Sequence, residues 1–217
     1  MRERENMPRL LYLCAEFLVL FVLLPTAYAL HFLPVPVIGV LLGMGLYGVI
    51  MLARDSSFDR TACVRWTREV WPNVALVALV AAILLVGTWL FRRHLLFYFP
   101  REKTALWAAV LIGYPFLSAL PQEILYRVFF MHRYASLFSD RRIMLTASSL
   151  IFGLHHLVMG NWVAVILSTI AGFRFAIVYD RTRSVWAPTI EHAIYGWIVF
   201  TVGLGDYFYH GTIEFME

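Results

Sequence analysis

Apolar residues run almost unbroken through this chain, interrupted at short intervals by polar clusters. The uninterrupted runs fall near 9–30, 34–53, 73–91, 104–120, 143–159, 161–179 and 185–204. Each has about the 17–25 residues an apolar helix needs to cross a bilayer. None alternates with a period of two, which argues against a barrel built from segments of about ten residues. Helices also satisfy their own backbone groups where lipid offers none. The pattern predicts an all-α fold, a polytopic transmembrane helical bundle of seven or eight helices forming a single membrane-embedded domain over 1–217. The ambiguous stretch is 121–138, which begins with Pro121, is rich in Leu, Phe and Tyr, and yet carries Glu123, Arg127, His132 and Arg133. Residues 104–138 would span about 52 Å as one helix. That is too long for one perpendicular crossing and too short for two, so a kink or break is expected at Pro121.

Composition supports the membrane reading. The 217 residues are 61% hydrophobic and 15% charged, against roughly 45–50% and about 25% in soluble domains. The formal charge of +4 is accounted for by loops rather than by a nucleic-acid surface. Basic loops face the cytoplasm, which places Arg2, Arg4 and Arg9 on that side together with Arg54, Arg60, Arg65 and Arg68. If 121–138 adds no crossing of its own, Arg141–Arg142 and Arg181–Arg183 join them. Asp206, Glu214 and Glu217 then fall opposite, with Arg92, Arg93, Arg101 and Lys103 as the misfit. The charged start followed by an apolar run reads as a retained first span rather than a removed signal peptide. Cys14 and Cys63 form no disulfide framework and no metal spacing.

Ionisable side chains at membrane depth are costly and usually face the bundle interior. Here they are Glu16, Glu123, Arg127, His155, His156, Glu191 and His192. Glu16 stands alone in the first span and can pair with a distant helix. Glu123 and Arg127 are four apart, share a helix face, and can form a structural ion pair. His155 and His156 point about 100° apart on a helix, so only one is expected to face the same centre as Glu123. His192 can serve as a helix–helix hydrogen bond. Taken together, a carboxylate, an arginine and histidines from two later spans suit water activation and stabilisation of an oxyanion.

Other peptidase chemistries fit less well. No GxSxG-like stretch surrounds Ser148, Ser149 or Ser168, and no HExxH occurs. Tyr179–Asp180 and the GLGD at Gly203–Asp206 imitate an aspartyl pair. A helix of about 30 Å separates the two acids, whereas a shared proton needs them about 3 Å apart.

Three stretches resemble the CAAX-protease and bacteriocin-processing (CPBP, or Abi) family of glutamic-type intramembrane proteases. QEILYR at 122–127 is similar to its EExxxR motif, FGLHH at Phe152–His156 to FxxxH, and HAIYG at His192–Gly196 to HxxxN. The resemblance covers roughly 105–200. It implies an intramembrane endopeptidase that cleaves a membrane-anchored protein or peptide during C-terminal or leader processing. In that scheme Glu123, assisted by His156, activates water. His192 and the amide of Gln122 hold the oxyanion or orient the water, and Arg127 positions the carboxylate, with His155 and Gly196 as neighbours. The resemblance implies no cofactor or metal; zinc held by Glu123, His156 and His192 is the alternative. It also implies membrane lipid surroundings, a bacterial inner (plasma) membrane, a cytoplasmic N-terminus, and no nucleic-acid partner. Two positions depart from the pattern. Gln122 stands where the first glutamate is usual, and an amide cannot accept that proton; Gly196 stands where an asparagine is frequent. These departures keep open an inactive relative serving as a membrane scaffold or immunity factor. A proton-coupled transporter is a weaker alternative, since no inverted repeat is visible.

Overall fold

The computed structural model describes residues 2–66 and 68–208, with side chains from Met7 onward. The topology residues Arg2, Arg4, Glu214 and Glu217 therefore lie outside the described side chains. Among the described residues, seven long helices make up the bundle: α1 (Met7–Ala29), α2 (Val37–Arg54), α3 (Val74–Phe91), α4 (Thr104–Arg133), α5 (Arg141–Met159), α6 (Trp162–Thr182) and α7 (Trp186–Val202). The first six lie in helices long and apolar enough to cross a membrane. At 17 residues, α7 meets the lower limit of about 17–25. No strand occurs among the described residues. This is an integral membrane helical bundle.

Side-chain caps mark several helix starts. Asn73 accepts from the Leu76 N–H at 3.1 Å, Asp140 from Arg142 at 2.6 Å, and Asn161 from Ala164 at 2.8 Å. Each satisfies a donor left free in the first helical turn. Gly160, at φ +71°, makes the reversal between α5 and α6, a left-handed conformation that costs glycine little.

The expected break at Pro121 does not occur. The backbone remains helical from Thr104 to Arg133, about 45 Å at 1.5 Å per residue. Two π-helical stretches, Pro115–Ala119 and Ile124–Phe129, flank the short α-helical piece Leu120–Glu123. Proline lacks the N–H that a regular helix requires and crowds the preceding turn. The wider π turn accommodates this without ending the helix. The same device recurs in α1, where the π stretch Val19–Leu23 precedes Pro25. Residues 121–133 thus complete the crossing begun at 104.

That continuity sorts the loops onto two ends. At one end, the His132 ring meets Asp55 at 3.0 Å, Ser184 Oγ donates to the Arg65 carbonyl at 2.7 Å, and Arg141 Nε donates to Asp180 at 2.7 Å. At the other, Arg92 meets Asp206 at 2.7 Å, and Asn161 Nδ2 donates to the Tyr207 carbonyl at 2.9 Å. Arg92, the misfit of the charge pattern, has its counter-ion at its own end.

Small residues bring the central helices together, as expected where lipid gives no hydrophobic drive between spans. A Cβ on Gly153 would lie 1.8 Å from Thr169 Oγ1, so α5 and α6 approach closely there. Gly45 and Gly48 of α2 similarly receive Pro121 and Phe129 of α4. The second half of α4 is the bundle axis, with Leu125, Phe129 and Phe130 wholly buried.

Candidate active site

The motif residues of α4 and α7 meet at the buried axis. Glu123 and Arg127 are both 0% exposed, one helical step apart on α4. Arg127 Nε lies 3.3 Å from Glu123 Oε2, while His192 Nδ1 lies 2.8 Å from the other oxygen, Oε1. One carboxylate thus joins a guanidinium on its own helix to an imidazole 69 residues away. Arg127 also donates to Ser148 Oγ at 3.0 Å, and Ser148 in turn donates to the Tyr126 carbonyl at 2.6 Å. The Arg127 guanidinium lies 4.8 Å from the centre of the Phe152 ring, a cation–π contact that helps hold a buried charge. Removing either ion would strand the other without solvent, the costly case for buried pairs.

His192 is held by more than its hydrogen bond. Phe175 of α6 stacks on its ring at 4.6 Å and 18°, and Phe152 stands edge-on at 5.6 Å. With Nδ1 donating to a carboxylate, Nε2 keeps its lone pair. His156 reaches the same condition by another route. Its Nδ1 lies 2.8 Å from the Phe152 carbonyl, which can only accept, so Nδ1 carries the proton and Nε2 is bare. Its ring is 4.9 Å from that of Phe152.

The adjacent His155 differs. Its Nε2 donates to the Phe21 carbonyl at 2.8 Å, and its Nδ1 accepts from the Tyr126 hydroxyl. With both nitrogens engaged, it ties α1, α4 and α5 together. The expected division of labour between the two histidines is therefore present, and His156 is the one that faces His192.

Two cavities adjoin this cluster. One, of about 290 Å3, is walled by α3, α6 and α7 and includes His156, His192, Arg174 and Gly196. The other, of about 540 Å3, lies among α1, α2, α4 and α5 and includes Ser118, Gln122, Tyr126, His155 and His156. Tyr114, His156, Phe200 and Phe208 belong to both walls. Glu123 and Arg127 line neither. Gln122 and Glu123 thus face different ways, as adjacent helical residues do: the amide lines the larger cavity and the carboxylate points to His192. Gln122 donates to Ser118 Oγ at 2.8 Å.

The other ionisable groups are accounted for structurally. Glu16 receives Arg133 at 2.9 Å and the Tyr47 hydroxyl at 2.5 Å. Glu191, 1% exposed, is gripped by Arg174 at 2.7 and 3.1 Å and by Tyr195 at 2.7 Å. Asp180 pairs with Arg141 and Asp206 with Arg92, at the two ends already distinguished, so no aspartyl dyad forms. Among the described residues no group of three His, Cys, Asp or Glu side chains could hold a metal ion.

Residues 104–198 match the family described as Rce1-like, type II CAAX prenyl endopeptidase. The match covers less than half of the chain, and over this segment the protein is similar to that family. Comparison with curated proteins and with solved structures gave no match. The matched segment starts with α4 and ends within α7, so it contains all three motif stretches and excludes α1–α3. The matched family is one of endopeptidases.

Three contributors to the cluster carry no family motif. Ser148 anchors Arg127, Phe175 stacks on His192, and the Tyr114 ring fills the space beside Gly196, where a Cβ would lie 2.1 Å from Tyr114 Cε1. Ser148 was visible in the sequence only as an unsuitable nucleophile. Phe175 and Tyr114 look like any other aromatic in an apolar span, and no sequence signal separates them.

Proposed function

We propose that the protein is an intramembrane endopeptidase in which Glu123 acts through His192. One observation carries the reading: a wholly buried Glu123 is bonded at 2.8 Å to His192 Nδ1, while His192 itself lines a cavity. A carboxylate that holds an imidazole in one tautomer and stabilises its protonated form is the arrangement that makes histidine an effective base. In this scheme the bare Nε2 of His192 takes a proton from water as the water oxygen attacks the substrate carbonyl carbon. The carbonyl electrons move to oxygen, giving an oxyanion. His192 then returns the proton to the leaving amine as the C–N bond breaks. His156, also with a bare Nε2, accepts a hydrogen bond from the water's second O–H, which stays on the attacking oxygen, and fixes its approach. Arg127, 3.3 Å from the other carboxylate oxygen, holds Glu123 in place.

The substrate is a protein or peptide anchored in or at the same membrane, cleaved near its C-terminus or leader. The end bearing Arg54, Arg60, Arg65, Arg141 and Arg183 faces the cytoplasm by the positive-inside rule, in a bacterial inner membrane. Gln122, an amide on the larger cavity wall where the motif has its first glutamate, favours the second reading, a relative that keeps the fold without hydrolysis.

Cleavage of a fluorogenic farnesylated CAAX peptide by protein reconstituted in liposomes separates the two. Glu123→Gln is expected to lower kcat on the order of 10^3–10^4-fold, the effect of losing the orienting carboxylate of a histidine base. His192→Ala should abolish cleavage, and the double variant should be no slower than His192→Ala alone, because the pair works as a unit. Absence of cleavage by the parental protein would leave the non-hydrolytic reading, and unchanged rates in both single variants would mean that Glu123 and His192 do not carry the reaction.

A further inference from the structure

The proposed hydrolysis requires a hydrogen-bond donor for the oxyanion, and the two histidines present only bare nitrogens to the cavity. Of the other polar groups on the wall of the smaller cavity, Arg174 and Tyr195 are both bound to Glu191, and Ser168 stands on α6, whereas Tyr114 lies against His192 itself. The third motif ends in Gly196, which offers no side chain at all. Its space is nevertheless filled. A Cβ at Gly196 would lie 2.1 Å from Tyr114 Cε1 and 2.6 Å from Cζ, so the tyrosine ring passes over α7 where a side chain at 196 would project. Tyr114 stands edge-on to His192 at 5.8 Å and to Phe200 at 5.6 Å. It belongs to the walls of both cavities, as does His156. Its hydroxyl has no hydrogen-bond partner among the described residues.

We infer that Tyr114 is a catalytic residue whose phenolic O–H donates to the oxyanion, supplying from α4 the donor that position 196 lacks on α7. This rests on the peptidase reading above. No proton is transferred from the phenol. The O–H shortens its hydrogen bond as charge builds on the former carbonyl oxygen, and the proton from water resides on His192 until the amine leaves. The glycine is then the counterpart of the tyrosine, because a side chain at 196 and a ring at 114 cannot occupy the same space.

The test uses the same farnesylated CAAX peptide and liposome-reconstituted protein. Tyr114→Phe keeps the ring against Gly196 and removes only the hydroxyl. Its kcat is expected to fall about 100-fold, the scale for one lost oxyanion donor, with KM within about twofold. Tyr114→Gly combined with Gly196→Asn moves a donor back onto α7 and should run at least about tenfold faster than Tyr114→Gly alone. A purely packing role for Tyr114 would leave Tyr114→Phe at the parental kcat, and that result overturns the assignment. His192→Ala separates the two levels. If it abolishes cleavage while Tyr114→Phe does not slow it, only the donor assignment fails; if His192→Ala leaves cleavage intact, the peptidase reading fails with it.

Discussion

Helices α3 and α7 are nearly equal in length and both read as membrane spans, yet the structure uses them in opposite ways. Of the 18 residues of α3 only Thr88 is buried, whereas α7 buries Ala187, Thr189, Glu191, His192, Tyr195 and Gly196 among others. The more uniformly apolar helix faces outward and the helix carrying acid, imidazole and phenol lies inside. In water the reverse assignment would hold. In lipid an alkyl side chain gains little by leaving the surroundings for the bundle, while a polar one must find partners there. The interior is therefore where chemistry collects, and the rim is where hydropathy is highest.

Paired substitutions can break or sharpen this contrast. The largest stability effect is expected from Arg127→Ala, which leaves the buried Glu123 without its cation and with only the His192 hydrogen bond, at a cost of about 3–5 kcal/mol. Ile83→Ala on the outward face of α3 should stay within about 0.5 kcal/mol. Thermal unfolding in detergent compares them, and similar losses would mean that α3 packs more than its exposure indicates. A glycine pair gives a smaller difference with opposite signs. Gly196→Ala drives a methyl into the Tyr114 ring and should cost about 1–3 kcal/mol. Gly87 has nothing within 4 Å of its would-be Cβ, so Gly87→Ala should be neutral or stabilising by up to about 1 kcal/mol.

The smallest effect lies outside the membrane, where the connection after α2 holds Asp55. Hydrogen bonds from the Ser57 hydroxyl and backbone N–H, then from the His132 ring, lower its pKa below the ordinary value near 3.8. A depressed carboxyl contributes stability that is present above its unfolded value and is lost as pH falls below it. Melting measured between pH 5 and pH 3 should therefore show an acid-dependent loss that Asp55→Asn removes. The exposure of this group keeps the difference small.

Much of this arrangement was legible in the chain. Seven apolar runs became seven helices, and the motif residues Glu123, Arg127, His156 and His192 came to one axis because each lies on the inward face of its span. The continuity of α4 was not legible. Pro121 signals a break when only α-helical hydrogen bonding is considered, and the neighbouring π turns leave no compositional trace. Nor could the sequence tell which of Gln122 and Glu123 would face a cavity. That depends on helix rotation, which a π turn changes without altering residue types. The Tyr114–Gly196 fit joins residues 82 positions apart, and either alone is an ordinary membrane residue.

The π turns of α4 also bear on how such a site can change. A residue added to or removed from a helix rotates everything beyond it by about 100°, and a π turn is a place where one extra residue is already accommodated. With one such turn before Leu120–Glu123 and another after it, the rotation of that four-residue piece about the helix axis is set by both turns. Which member of the Gln122–Glu123 pair meets His192 is thus a question of register, separable from the identity of either residue.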